Sequence, residues 1–163
     1  MKIKSIITQG VGSVPDGEIS LNNDWAGSVE TKVLFTGPNG CGKSTLLRGV
    51  AMLWDALGYW LDQRKSLPQK HESREWLQRW EGFAVVLDSL EPFYNEPVVV
   101  LFGTQEWSKE TLLGYDNVAW IGETFTRGNI GKPKRELHLP KEDWLDAWST
   151  ARKKQILTYD AID

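Results

Sequence analysis

Apolar and polar positions change their period several times along this chain, and each change marks an element. Residues 2 to 8 read as a strand, and Gly10, Gly12, Pro15, Asp16 and Gly17 then punctuate a turn. Glu18-Ile19-Ser20-Leu21 alternates polar and apolar as a half-buried strand does, and Asn22-Asn23-Asp24 with Gly27 marks the next turn. Lys32 to Thr36, centred on Val33-Leu34-Phe35, predicts a further strand. From there the period lengthens. Leu46, Leu47, Val50, Trp54, Leu57 and Leu61 recur at helical spacing and predict a helix from Lys43 to about Gln63 with a wide apolar face, ended at Leu67-Pro68-Gln69.

Beyond that break, Arg74 to Trp80 reads as a short amphipathic helix stopped by Gly82. Phe83 to Leu90 and Val98 to Gly103 read as two strands with a turn from Pro92 to Pro97 between them. Such a short connection predicts antiparallel neighbours, because a parallel crossover needs about a dozen residues or more. Gln105 follows the second strand as a polar turn residue. Asn117 to Arg127 and Lys134 to Leu139 read as another strand pair around Gly128-Asn129-Ile130-Gly131. A last helix is expected from about Pro140 to Leu157, with Pro140 at its first position, Glu142 and Asp143 near its positive end, and Arg152, Lys153 and Lys154 near its negative end.

Composition narrows the class. The chain has 163 residues, 40% of them hydrophobic and 25% charged, enough to bury one ordinary core and read here as a single domain over 1 to 163. A net charge of −3 excludes a uniformly basic nucleic-acid binder. No apolar run reaches the length of a membrane span, no signal-peptide pattern opens the chain, and a single cysteine permits no internal disulfide framework. The expectation is a soluble, cytoplasmic protein. Nine tryptophans are spread through every segment; packing in the core or at a partner interface is the default for them, and adenine stacking is a role considered for Trp25.

The predicted strand Lys32 to Thr36 runs into Gly37-Pro38-Asn39-Gly40-Cys41-Gly42-Lys43-Ser44-Thr45, which opens the long helix. G-x-x-x-x-G-K-[ST] at a strand-to-helix turn is a phosphate-binding signature. Gly40 and Gly42 let the backbone turn its N–H groups toward an anion, and Asn39 to Thr45 form the cradle. Lys43 is the point charge for the β- and γ-phosphates, and Ser44 places a hydroxyl on a magnesium ion. Cys41 sits at a position that tolerates a small side chain. ATP and Mg2+ are the expected ligands.

The run GPNGCGKSTLLR, residues 37 to 48, looks like the phosphate loop of ABC-type ATPases. Strands before the loop and antiparallel hairpins after its helix resemble the N-terminal lobe of the SMC, RecF and OLD-like branch, and Glu123 to Gly128 with Lys134 to Leu137 resembles a hairpin of that lobe. The resemblance implies an α/β (α+β-like) phosphate-loop NTPase fold, ATP sandwiched against a signature motif from a second lobe or subunit, and a homodimer or higher oligomer. It implies hydrolysis through an aspartate-glutamate pair on a C-terminal lobe. Gln105 stands where the family's magnesium- and water-coupling glutamine would fall. The chain departs from the pattern in having no signature segment, no apolar run ending in Asp-Glu and no switch histidine, since His71 and His138 lie in polar and strand contexts. The expectation is one ATP-binding lobe, inactive alone, completed elsewhere, with DNA, a nuclease or another effector as the implied partner.

Two readings compete. A self-contained small kinase would use Asp88, with Glu91 nearby, on a parallel strand beside the loop. A nucleotide-dependent interaction module would present a tryptophan-rich surface to a partner. Arg127, Lys132, Lys134 and Arg135 form a small basic cluster on one hairpin, able to meet a phosphate backbone or simply to stay solvated.

Overall fold

The computed structural model describes residues 1–63, 65–90, 97–115, 119–125 and 135–138. Its strands are β1 (Lys2–Gln9), β2 (Gly17–Ser20), β3 (Asn22–Asn23), β4 (Ser28–Val29), β5 (Gly82–Asp88), β6 (Val98–Thr104), β7 (Ala119–Phe125) and β8 (Arg135–His138). Its helices are α1 (Lys43–Gln63), α2 (Glu72–Leu77) and α3 (Gln105–Leu113). Among the described residues one sheet runs in the order β2-β1-β5-β6-β7-β8, and β3 and β4 form a small separate hairpin. The architecture is mixed α/β with a mixed sheet.

β5 and β6 are apolar on both faces because both faces are covered. Side chains at 83, 85 and 87 on β5 and at 98, 100 and 102 on β6 join the cluster that includes Leu46, Leu53, Leu57 and Trp60 of α1. Ala84, Val86, Val99 and Leu101 point the other way and pack with Trp107 of α3. The indole lies against the strands themselves. A Cβ at Gly82 would stand 2.1 Å from Trp107 Cδ2, and one at Gly103 2.5 Å from Cε3, so the ring's seat depends on both glycines.

β5 and β6 pair antiparallel, with Gly82 opposite Gly103 and Leu87 opposite Val98, as the short connection predicts. β7 and β8 are antiparallel too, Glu123 facing Leu137. The β6–β7 pair is parallel, and α3 lies on the connection that such a crossover requires.

Three sequence expectations change. Gln105 is the first residue of α3 and not a turn residue; Thr104 caps that helix by accepting the Trp107 amide on its hydroxyl. The second helix is displaced toward its N-terminus, because His71 accepts the Ser73 amide at Nδ1 and starts it at Glu72. Among the described residues Lys32 to Thr36 pairs with no strand, and only Phe35 of its apolar core is half-buried, against the α1-side cluster. The expected helix from Pro140 to Leu157, together with Glu91, Arg127, Lys132 and Lys134, lies outside the described residues, and only the backbone of Arg135 is described.

Candidate phosphate-binding site

Gly40 and Gly42 take φ of 83° and 94°, in the left-handed region that side chains disfavour. Gly42 is constrained a second time, because a Cβ there would meet Val14 Cγ2 at 2.6 Å and Ser13 Oγ at 3.3 Å. The loop therefore leans on residues 13 and 14, just beyond the C-terminal end of β1. The first helical bond of α1 runs from the Leu46 amide to the Gly42 carbonyl, 2.8 Å. Gly42 stands at the capping position without a side chain, so the Lys43, Ser44 and Thr45 amides have no partner within the helix. The first turn of α1 holds no acidic residue, and the positive end of the helix dipole is left uncompensated.

The Lys43 ammonium is folded back over the loop. Nζ donates to the carbonyls of Gly37 at 2.7 Å and Pro38 at 2.8 Å and lies 3.5 Å from Cys41 Sγ. Those contacts occupy all three of its protons. An incoming phosphate would draw Nζ off a neutral carbonyl into a stronger, charge-assisted bond. Ser44, Asn39 and Gly40 are exposed, while Cys41 and Thr45 are half-buried. No group of three or more His, Cys, Asp or Glu side chains among the described residues is arranged to hold a metal ion. Apart from the Ser44 hydroxyl, protein ligands for magnesium are therefore not assembled among them.

Strand register decides which other candidates share this end of the molecule. Gln9 faces Gly82, and Gly82 faces Gly103, so the ends of β1 and β6 and the start of β5 lie side by side next to the loop. Glu81 stitches them: its amide donates to the Gln9 carbonyl at 3.1 Å, and its carbonyl accepts the Thr104 amide at 2.8 Å. Gln105 follows directly. It stands at the loop's end of the sheet, two strand spacings or about 10 Å across from β1, at the start of the helix covering the opposite face.

Asp88 is not brought to the loop. It faces Lys2 at the far end of β5, about 20 Å from Gly82, and accepts a 2.7 Å bond from the Ser89 hydroxyl. Ser89 has a φ of 53° and turns the chain out of the strand. Trp25 lies at that distant end as well. It tips the β3–β4 hairpin, which is tethered there by the Lys2 ammonium on the Val29 carbonyl at 2.9 Å. Its ring is fully exposed, and its amide is held by Asn23 Oδ1 at 3.1 Å.

Residues 10 to 17 form the expected turn, and within it residues 13 and 14 also wall the glycine-rich loop. The signal was present in Gly10 and Gly12, both left-handed at 62° and 56°. Nothing in the sequence pointed to the ion pair of Arg74 and Glu123, whose charged atoms lie 3.4 Å apart at 2% and 8% side-chain exposure. Arg74 Nη1 also donates to the Leu67 carbonyl. Burial pushes the Glu123 carboxyl above its ordinary range, against the opposing pull of Arg74 and a bond from Ser66. His71 remains structural, with Nε2 at 3.7 Å from Asp55. No helix among the described residues is long and apolar enough to cross a membrane.

No family model matches the chain, and no curated protein or solved structure matches it either.

Proposed function

We propose that this chain is the ATP-binding lobe of an ABC-type ATPase with the phosphate-loop NTPase fold, completed for hydrolysis by a second lobe or subunit. One observation carries the reading: an uncapped, acid-free helix N-terminus preceded by a loop with two left-handed glycines and a lysine ammonium over its mouth. Such a site suits a polyanion, and no acidic side chain of the first turn of α1 competes for it. Magnesium would therefore arrive with the triphosphate, held by its oxygens and by Ser44.

Hydrolysis needs an oriented water and charge stabilisation opposite the γ-phosphate. Among the described residues, Gln105 is the sequence candidate at the loop's end of the sheet, and Asp88 is a strand length away. The antiparallel β5–β6 pair counts against a kinase built on Asp88. The second lobe would contribute the acidic pair and the signature motif, so turnover would follow ATP-driven association. DNA maintenance or anti-phage defence, with DNA or a nuclease as effector partner, is the role implied by the resemblance of the strands around the loop, and of residues 123 to 128 with 134 to 137, to the SMC, RecF and OLD-like branch.

The test is ATP binding and turnover by the purified chain beside its Lys43→Ala variant. The expected result is magnesium-dependent binding that falls at least tenfold in the variant, about 1.4 kcal/mol or more, with negligible turnover in both. Turnover lost on Asp88→Asn would transfer the function to a self-sufficient kinase. Absence of binding by the unaltered chain would end the proposal.

A further inference from the structure

The end of the sheet opposite the phosphate loop carries chemistry that nucleotide binding does not use. β1 enters the sheet there with a bulge: Ile3 faces Leu87 and Ser5 faces Val86, so Lys4 has no residue opposite it on β5. A bulge of this kind re-aims the side chain of its extra residue. The β3–β4 hairpin is tied back over the same place by the Lys2 ammonium on the Val29 carbonyl and by the Leu21 amide on the Lys4 carbonyl, 2.8 Å. Between the hairpin, β1 and the end of β5 lies an open pocket of about 660 Å³, within the size range of small-molecule sites. Ser89 closes its wall. Among the described residues it is the one non-glycine with a positive φ, and such backbone strain gathers at ligand sites.

Four charges line this pocket, and they cancel. Lys2 and Lys4 stand against Asp24 and Asp88. Lys2 and Asp88 are direct cross-strand neighbours, with Cβ atoms about 5 Å apart, yet no ion pair joins them among the described residues. The Lys2 ammonium is engaged by the Val29 carbonyl, and Asp88 accepts its bond from the Ser89 hydroxyl. No side chain among the described residues bonds the Lys4 ammonium or the Asp24 carboxylate. Opposite charges held apart around a polar cavity complement a ligand that carries both signs. A ligand of one sign would face two like charges beside the two that attract it.

We propose that this pocket binds a small zwitterion, an α-amino acid or a dipeptide, whose carboxylate is taken by Lys2 and Lys4 and whose ammonium is taken by Asp88 and Asp24. Asn22 and Ser28 in the same lining supply an amide and a hydroxyl for the polar middle of such a molecule. The inference stands apart from the nucleotide reading, because Asp88 lies about 20 Å from Gly82 at the loop's end of β5.

The experiment titrates the whole chain with glycylglycine and with L-glutamine, followed by the amide chemical shifts of residues 2–4 and 22–29. At least one probe is expected to bind with a Kd of about 1 mM or tighter. N-acetylation removes the ammonium and C-terminal amidation removes the carboxylate; each should weaken binding about fivefold or more. Preference for glycylglycine would assign the pocket to dipeptides, and preference for glutamine to free amino acids. Lys4→Gln should abolish the preference for the zwitterion over its amide, and Asp88→Asn the preference over its acetylated form. Each preference is read within one variant, so a general loss of stability does not imitate it, and the blocked probes test the unaltered chain without any substitution.

Equal affinity for the zwitterion and both blocked forms would overturn the inference. So would shifts no larger than those from sodium chloride at the same concentration, or no binding of either probe at about 10 mM. Tighter binding of the acetylated form would make the pocket an anion site instead.

Discussion

Val33-Leu34-Phe35 and Val98-Val99-Val100-Leu101-Phe102 are built from the same residue types, yet their fates diverge. The second run lies between β5 and β7 with no residue more than 3% exposed, while the first has no paired strand among the described residues and leaves Leu34 almost bare. Side chains that favour strands supply only half of a strand. The other half is a neighbour in register, which satisfies the backbone and shields both faces. β6 has such neighbours within the described residues. Residues 32–36 have none among the described residues.

The sharpest break of this comparison places the same charge in both runs. Val99→Asp buries an unpaired carboxylate between the sheet and α3 and should cost more than about 4 kcal/mol in a urea melt, enough to leave the chain unfolded. Leu34→Asp should change the stability of the isolated chain by less than about 0.5 kcal/mol. Equal losses would show that residues 32–36 are already paired.

A smaller effect tests how the closed half of the molecule holds the buried pair of Arg74 and Glu123. Glu123→Leu leaves the Arg74 guanidinium buried without its carboxylate and should cost about 3 to 5 kcal/mol by chemical denaturation. Adding Arg74→Met should restore most of that loss. Because burial raises the Glu123 pKa, the folded state holds this proton more tightly than the unfolded state does. The stability it contributes is complete below the ordinary carboxyl value of 4.5 and is lost as pH rises through the folded value. Glu123→Gln should therefore remove a falling component from the pH profile of stability just above 4.5, and an unchanged profile would contradict the assignment.

The smallest expected effect compares the two ends of the sheet. Trp25→Ala, at the end opposite the loop, should leave nucleotide affinity within about twofold of the parent, less than half a kcal/mol. A larger change would place the base beside the hairpin and reverse the reading of that end.

The glycine-rich loop was legible because its geometry is local. Two glycines, a lysine and a hydroxyl within a few residues specify left-handed turns, an uncapped helix and an ammonium that reaches back to Gly37. α1 was legible from its period, and the β5–β6 hairpin from the length of its connection. α3 was not, because its buried side chains, Trp107 and Ser108, are consecutive and trace no helical stripe. Arg74 and Glu123 lie 49 residues apart, and neither carries a local mark of its partner.

By itself, then, the sequence determined what neighbouring residues impose on one another: the turns at Gly40 and Gly42, the start of α1, the alternation that buries β5 and β6, and the antiparallel return between them. Tertiary structure alone decided which ends of the strands share the loop, drawing Gln105 toward it and leaving Asp88 and Trp25 a strand length away. It also left Val33-Leu34-Phe35 without a paired strand among the described residues. Both outcomes depend on register and on the presence of a neighbouring strand, and neither quantity is a property of the segment that it governs.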